Sequence, residues 1–217
     1  MTVAAVIFST RTEDATALLD GVACVRHVAD AAWSGGAIPI AVVAPDPDGA
    51  VADALSGSSV DLVALALAGA GASELILLGI EAAAASVAET TAALLWPVRM
   101  AWIDAGTATA LIEAHAGAPA AVLRPSWAGQ PGWPALVPLA LVGMLRALAP
   151  DLSPDRLLAG MEEAGAPLRL LDLGDPGATH DVSTPRARLP AYAGPEQPVT
   201  GHPPDWGSDV AQAPPAE

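Results

Sequence analysis

The sequence predicts an α/β protein built on a mostly parallel sheet, and three observations carry that prediction. "VAAVIF" (Val3 to Phe8) and "IPIAVVA" (Ile38 to Ala44) are continuous apolar runs rich in β-branched residues. Strands covered on both faces read this way, because neither side needs polar residues. Between them Val22, Val25, Val28, Ala29 and Ala32 recur at helical spacing, and "SGG" follows as a stop. Strand, helix and strand at this spacing form a βαβ unit. The alternation then continues along the chain.

Each further element follows from its own pattern. A helical stretch falls near Gly49 to Leu55, an apolar run at Val60 to Leu67, and a helix at Ser73 to Val87. "LLWPVRMAWID" (Leu94 to Asp104) reads as a buried strand running into a loop. A helix at Thr107 to His115 and the strand "AAVLRP" from Ala120 come next. "SWAGQPGWPALVP" is rich in turn formers, and an apolar helix is expected at Leu139 to Leu148. "SPDR" opens another helix, with Ser153 as N-cap and Pro154 at the first helical position. "PLRLLDLGD" and "THDVSTP" are expected as closing strands. A single domain over residues 1–192 is expected. The remainder, residues 193–217, reads as a disordered tail: it is rich in Pro, Gly and acid, and Trp206 is its one possible anchor.

Composition narrows the function. Net charge is −15, from 24 acidic residues against nine basic ones, and every basic residue is Arg. Such a chain is a poor nucleic-acid binder, because a phosphate backbone needs clustered positive charge. Apolar residues make up 53%, yet no apolar run free of charge reaches the roughly 18 to 20 residues of a membrane helix. The start has no basic region ahead of its apolar run, so the cytoplasm is the expected location. Cys24 is the only cysteine and reads as a small core residue, which leaves no internal disulfide and no Cys-rich zinc site.

Three local patterns occur in order and properly spaced. "THDVSTP" (Thr179 to Pro185) is similar to "hD-[IV]-D-T-P", "GQPGWPALVP" to "G-R-x-G-H-P-V-L", and Asp104 with "TALIEAH" (Thr109 to His115) to "D-P-x-x-x-x-x-L-I-E-A-H". With them the chain, over roughly residues 3 to 190, resembles the MobA-like NTP transferases, which attach GMP or CMP to molybdopterin. The resemblance implies a Rossmann-like three-layer nucleotidyltransferase fold. It also implies a Gly-rich first loop with a Lys, a magnesium-binding Asp after a central strand, a metal ligand at Asp181, and Thr184-Pro185 opening a last helix.

The sequence departs from that pattern at the points that carry the chemistry. Aligned on Asp104 and "TALIEAH", the family's metal Asp falls on Arg99, and Asp104 matches a later Asp that starts a helix. Mg²⁺ prefers hard oxygen ligands. At an effective dielectric near 20, a cation some 4 Å away opposes each unit of its charge by about 4 kcal/mol. A slip of five residues would make Asp104 the ligand, at the expense of both anchors. Where the family has its Gly-rich loop, "IFSTRTEDATALLDG" has no Gly between Ile7 and Leu19, no Lys, and the acids Glu13 and Asp14. Glycines there let backbone N–H groups approach a triphosphate, and the Lys offsets its charge. Further departures are Ser183 for the second Asp and Trp133 for the His.

The resulting expectation is a nucleotidyltransferase-like protein with a degenerate site. It acts by binding a nucleotide, a molybdopterin-type cofactor or a molybdoenzyme-pathway protein, with Thr10, Arg11, Arg99 and Trp133 as the binding residues. No catalytic residue is assigned. Arg99 reads alternatively as half of a salt bridge to Asp104 or Asp181. Trp96, Trp102, Trp127 and Trp133 either stack on a ring or fill the old cleft. His27 reads as a surface or packing residue and His115 as a helix-end residue; His180 has the best functional claim of the histidines. Two rival functions remain. One is an active Mg²⁺-dependent enzyme transferring CMP or GMP to molybdopterin, with Asp181 and Asp104 on the metal. The other is an acidic protein-interaction module with a Trp-plugged cleft.

Overall fold

A computed structural model describes residues 2–65 and 69–195. The expected tail with Trp206, and the last two residues of the Val60–Leu67 run, lie outside the described residues. In chain order the elements are β1 (Thr2–Phe8), α1 (Thr12–Thr16), β2 (Leu18–Leu19), β3 (Val22–Ala23), α2 (Cys24–Ser34), β4 (Ile40–Pro45), α3 (Ala50–Ala54), β5 (Asp61–Leu65) and α4 (Ala72–Ser86). There follow β6 (Thr90–Pro97), α5 (Ala105–Gly117), β7 (Val122–Trp127), β8 (Gln130–Pro131), β9 (Ala135–Pro138), α6 (Val142–Ala147), α7 (Pro154–Glu163) and β10 (Leu168–Asp172).

The sheet runs β10-β7-β9-β6-β1-β4-β5, with β8 paired to β7 off that path. β1 is parallel to β4 and β6, β4 to β5, and β7 to β10. β9 is antiparallel to both β6 and β7. The expected α/β class with a mostly parallel sheet is therefore the observed one. Residues 3 to 8 of β1 and all of β4 are buried, as strands covered on both faces must be.

α2 and α4 both pack on β1 and β4, from opposite faces. α5 joins α2 on one side, while α6 and α7 join α4 on the other. Close approach depends on small residues: a methyl group at Gly79 of α4 would collide with Val6 of β1, and one at Gly35 would meet Ala108 of α5. Leu75, Ile76, Leu94, Leu95, Leu111, Leu123 and Leu136 fill the layers between and are almost wholly inaccessible. At about 25 cal/mol per Å² of apolar surface, each such side chain contributes roughly 1.5 to 3 kcal/mol.

Several local expectations are corrected. The helix expected from the Val22-to-Ala32 spacing is α2, which starts only at Cys24, because Leu18–Leu19 and Val22–Ala23 pair as a hairpin about Asp20 and Gly21. Both turn residues have positive φ, 51° and 86°, the geometry that favours Asp-Gly in two-residue hairpins. The stretch read as turns contains β9, whose four apolar residues are buried between two neighbours. The helix expected at Leu139 to Leu148 is a 3₁₀ turn (Leu139–Leu141) followed by α6. Ser153 occupies the N-cap position of α7, with Pro154 first in the helix, but its side chain makes no capping bond. "THDVSTP" is not a strand. It follows a 3₁₀ turn (Pro176–Ala178), and Thr184-Pro185 opens only another (Arg186–Arg188).

Candidate functional site

β1 and β6 run side by side and end together, Phe8 opposite Pro97, at the edge where α/β proteins commonly bind ligands. The loop after β1 is short and tied to itself. The Ser9 hydroxyl donates to the Arg11 carbonyl at 2.7 Å, and the Thr12 hydroxyl donates to the Pro45 carbonyl at 2.7 Å. The chain then enters α1, which brings Asp14 back over the strand ends. A phosphate cradle needs free N–H groups, and two in this loop are already used: Ser9 N–H donates to the Val43 carbonyl at 3.0 Å and Arg11 N–H to the Ser9 hydroxyl at 3.4 Å.

Arg99, just past the end of β6, closes this edge. Its Nε and Nη2 both donate to Asp181 Oδ2, at 3.0 and 2.7 Å, and its Nη1 donates to Asp14 Oδ1 at 3.0 Å. The backbone supports the pairing, since Val182 N–H donates to the Arg99 carbonyl at 2.9 Å. Asp181 also accepts from the Ser183 N–H and hydroxyl. Burial pushes the Asp181 carboxyl up, but the Ser183 and Arg99 hydrogen bonds outweigh it and hold the pKa below the usual range. The hydrogen bonds from Arg99 to Asp181 and Asp14 raise the arginine's own pKa.

The sequence-predicted residues separate into groups. Arg99 meets Asp181, one of the two partners expected for a salt bridge, and Thr10 lines the same cleft. Arg11 is largely exposed and pairs with Glu13 at 3.5 Å. Asp104 caps α5, accepting from Gly106 N–H at 2.8 Å, which is the helix-starting role the resemblance implies. It lines a different cavity. Trp133 is buried, edge-on to Phe8 at 6.4 Å, with the Arg124 guanidinium 5.3 Å over its ring. Trp96 is fully buried and donates to the Met100 carbonyl; both of these rings fill space. Trp102 and Trp127 are half-buried, Trp127 edge-on to His180. His27 is half-buried and bonded to the Leu19 carbonyl.

Sequence reasoning missed two participants. Asp14 was legible only as an acid in the wrong loop; its ion pair with Arg99 links residues 85 positions apart. Asp175 is the buried anchor of the neighbouring turn, accepting from Asp104 N–H, the Thr107 hydroxyl and Gly177 N–H. Burial raises its carboxyl pKa.

A divalent cation does not fit this arrangement. Mg²⁺ needs near-octahedral oxygen coordination, whereas Arg99 holds an oxygen of Asp181 and one of Asp14 and carries charge of the wrong sign. Among the described residues no three His, Cys, Asp or Glu side chains gather as a ligand set. The cleft beside Arg99 is about 170 Å³. Ligand pockets usually run from about 300 to 1,000 Å³, so this cleft is smaller than most.

Comparison with known proteins fits the architecture. A nucleotidyl transferase from Methanothermobacter superposes with a TM-score of 0.63 at 20% identity, over 79% of this chain and 87% of that one. Rv0371c from Mycobacterium tuberculosis, in complex with manganese, gives 0.64 at 16% identity over 80% and 89%. The 2-C-methyl-D-erythritol 4-phosphate cytidylyltransferase of Thermus thermophilus gives 0.63 at 16% over 85% and 94%. At these identities the likeness shows the fold alone. No curated protein sequence matches the chain significantly. The family model for the MobA-like NTP transferase domain does match, over residues 10–166. That span is most of the chain, and this protein belongs to the MobA-like NTP transferase family.

Proposed function

We propose that this chain is a non-catalytic member of its family, acting in the cytoplasm by binding a nucleotide, a molybdopterin-type cofactor or a protein of a molybdoenzyme pathway. The observation that carries the reading is the Arg99 fork between Asp181 and Asp14. Nucleotidyl transfer needs positive charge that is free to meet a triphosphate as negative charge develops. Here Arg99 is already neutralised by two carboxylates, Arg11 is turned to Glu13, and the chain contains no Lys. The stapled first loop and the narrow cleft oppose triphosphate entry independently. Among the described residues no helix is long and apolar enough to cross a membrane.

The test is thermal unfolding of the purified protein with CTP, GTP and ATP, each with and without Mg²⁺, alongside pyrophosphate release. The expected result is no magnesium-dependent stabilisation and no pyrophosphate. A ligand at 100 times its Kd adds about 2.7 kcal/mol, which such a scan resolves readily. Stabilisation seen only with nucleotide plus Mg²⁺, or magnesium-dependent pyrophosphate release, refutes the reading and restores Asp181 as a metal ligand.

A further inference from the structure

A second cavity, of about 460 Å³, shares no lining residue with the Arg99 cleft and lies within the usual range for small-ligand sites. Its floor is the β6–α5 loop with Trp102 and Asp104. One wall is the β2–β3 hairpin with Leu19, and its roof is the segment 186–192, which contributes Arg186, Leu189 and Tyr192. The Trp102 ring is fixed in place, because its Nε1 donates to the Thr184 carbonyl at 3.0 Å.

The roof places a planar cation on that ring. The Arg186 guanidinium lies 5.8 Å over the Trp102 indole and pairs with Asp20 at the hairpin tip, 2.7 Å away. An indole face with a carboxylate beside it is the arrangement that holds planar cations. The pairing is solvent-exposed: the Arg186 and Asp20 side chains are 72% and 56% accessible. Such ion pairs hold their partners weakly, so a competitor in solution can displace the guanidinium. Leu19, Leu189 and Pro190 supply apolar surface next to it. Asp104 in the floor and a net charge of −15 disfavour an anion.

We propose that this cavity binds a small planar organic cation, an amidinium or guanidinium on a compact apolar body, which takes the place of the Arg186 guanidinium on the Trp102 ring and pairs with Asp20. The site is separate from the Arg99 cleft, so it stands whether or not that cleft is catalytic.

Calorimetric titration of the full chain with benzamidine, and with benzoate as the same ring of opposite charge, tests this. Benzamidine should bind one to one, and benzoate should not. Arg186→Ala, which removes the internal competitor, should tighten benzamidine by about two- to fivefold, the factor that an exposed cation–π contact represents. Because this variant gains affinity, misfolding cannot mimic the result. Trp102→Leu, with its fold checked by circular dichroism, should lose binding. The proposal is overturned if neither wild type nor Arg186→Ala binds benzamidine at about 10 mM. It is equally overturned if benzoate binds as well, or if Arg186→Ala leaves the affinity unchanged or weaker.

Discussion

Replacing Arg99 tests the central feature of the site. In Arg99→Met the stem is kept, and three N–H donors to two carboxylates are lost. The Arg99 side chain is 42% exposed and its partners less so, so each pair contributes about 0.5 to 1 kcal/mol after solvent screening. The two carboxylates left behind lose their shared counter-charge, and in a water-like medium they repel by less than about 1 kcal/mol. The sum is about 2 kcal/mol, or a fall in Tm of about 4 to 8 °C for a domain of this size. The Asp181 pKa is lowered in the folded state, so its share of the stability is present above about pH 4 and is lost as pH falls through the lower folded value. Arg99→Asp goes further and sets three carboxylates together. In chelator its Tm should fall below that of Arg99→Met, and Mn²⁺ or Mg²⁺ should raise it again while leaving wild type unmoved. The assay is differential scanning fluorimetry across pH with and without metal. An Arg99→Met protein as stable as wild type, or an Arg99→Asp protein indifferent to metal, would refute the reasoning that Arg99 is the internal counter-charge of this site.

Two further outcomes are expected from the core. His115 is 1% exposed and its Nδ1 has no hydrogen-bond partner among the described residues; burial lowers its pKa. As pH falls below about 6.5 the unfolded chain takes up a proton that the folded one resists, costing up to about 1.4 kcal/mol per pH unit. His115→Met should therefore flatten the loss of stability between pH 6.5 and 5, as measured by urea unfolding, and an unchanged slope would place the acid sensitivity elsewhere. Gly79→Ala should destabilise by about 1 to 3 kcal/mol despite the better helix propensity of Ala, because its methyl meets Val6. A gain in Tm would show that α4 can move off β1 freely.

Much of the fold was legible because burial on both faces leaves an uninterrupted apolar signature. β1, β4, α4 and α5 fall within a few residues of where their patterns put them. What escaped were elements too short for periodicity, such as β9 and the β2–β3 hairpin, although the Asp-Gly pair at the hairpin tip was a usable signal. Arg99 was identifiable as a cation where the family resemblance implies a metal ligand, and one of its two expected partners was correct. Its second partner, Asp14, was not identified.

The sequence by itself determined the mostly parallel α/β architecture, the absence of lysine and of first-loop glycines, and the presence of an arginine, Arg99, in the loop after the Leu94 strand. These are properties of local pattern and composition, and folding cannot alter them. Only the tertiary structure decided that Asp14 and Asp181 share the Arg99 guanidinium, that Trp133 lies buried under Arg124, and that Arg186 covers Trp102. Those contacts join residues about 80 or more positions apart, or depend on which face of a strand or loop turns inward. Both are set by how the layers pack, and no local window of the chain encodes them.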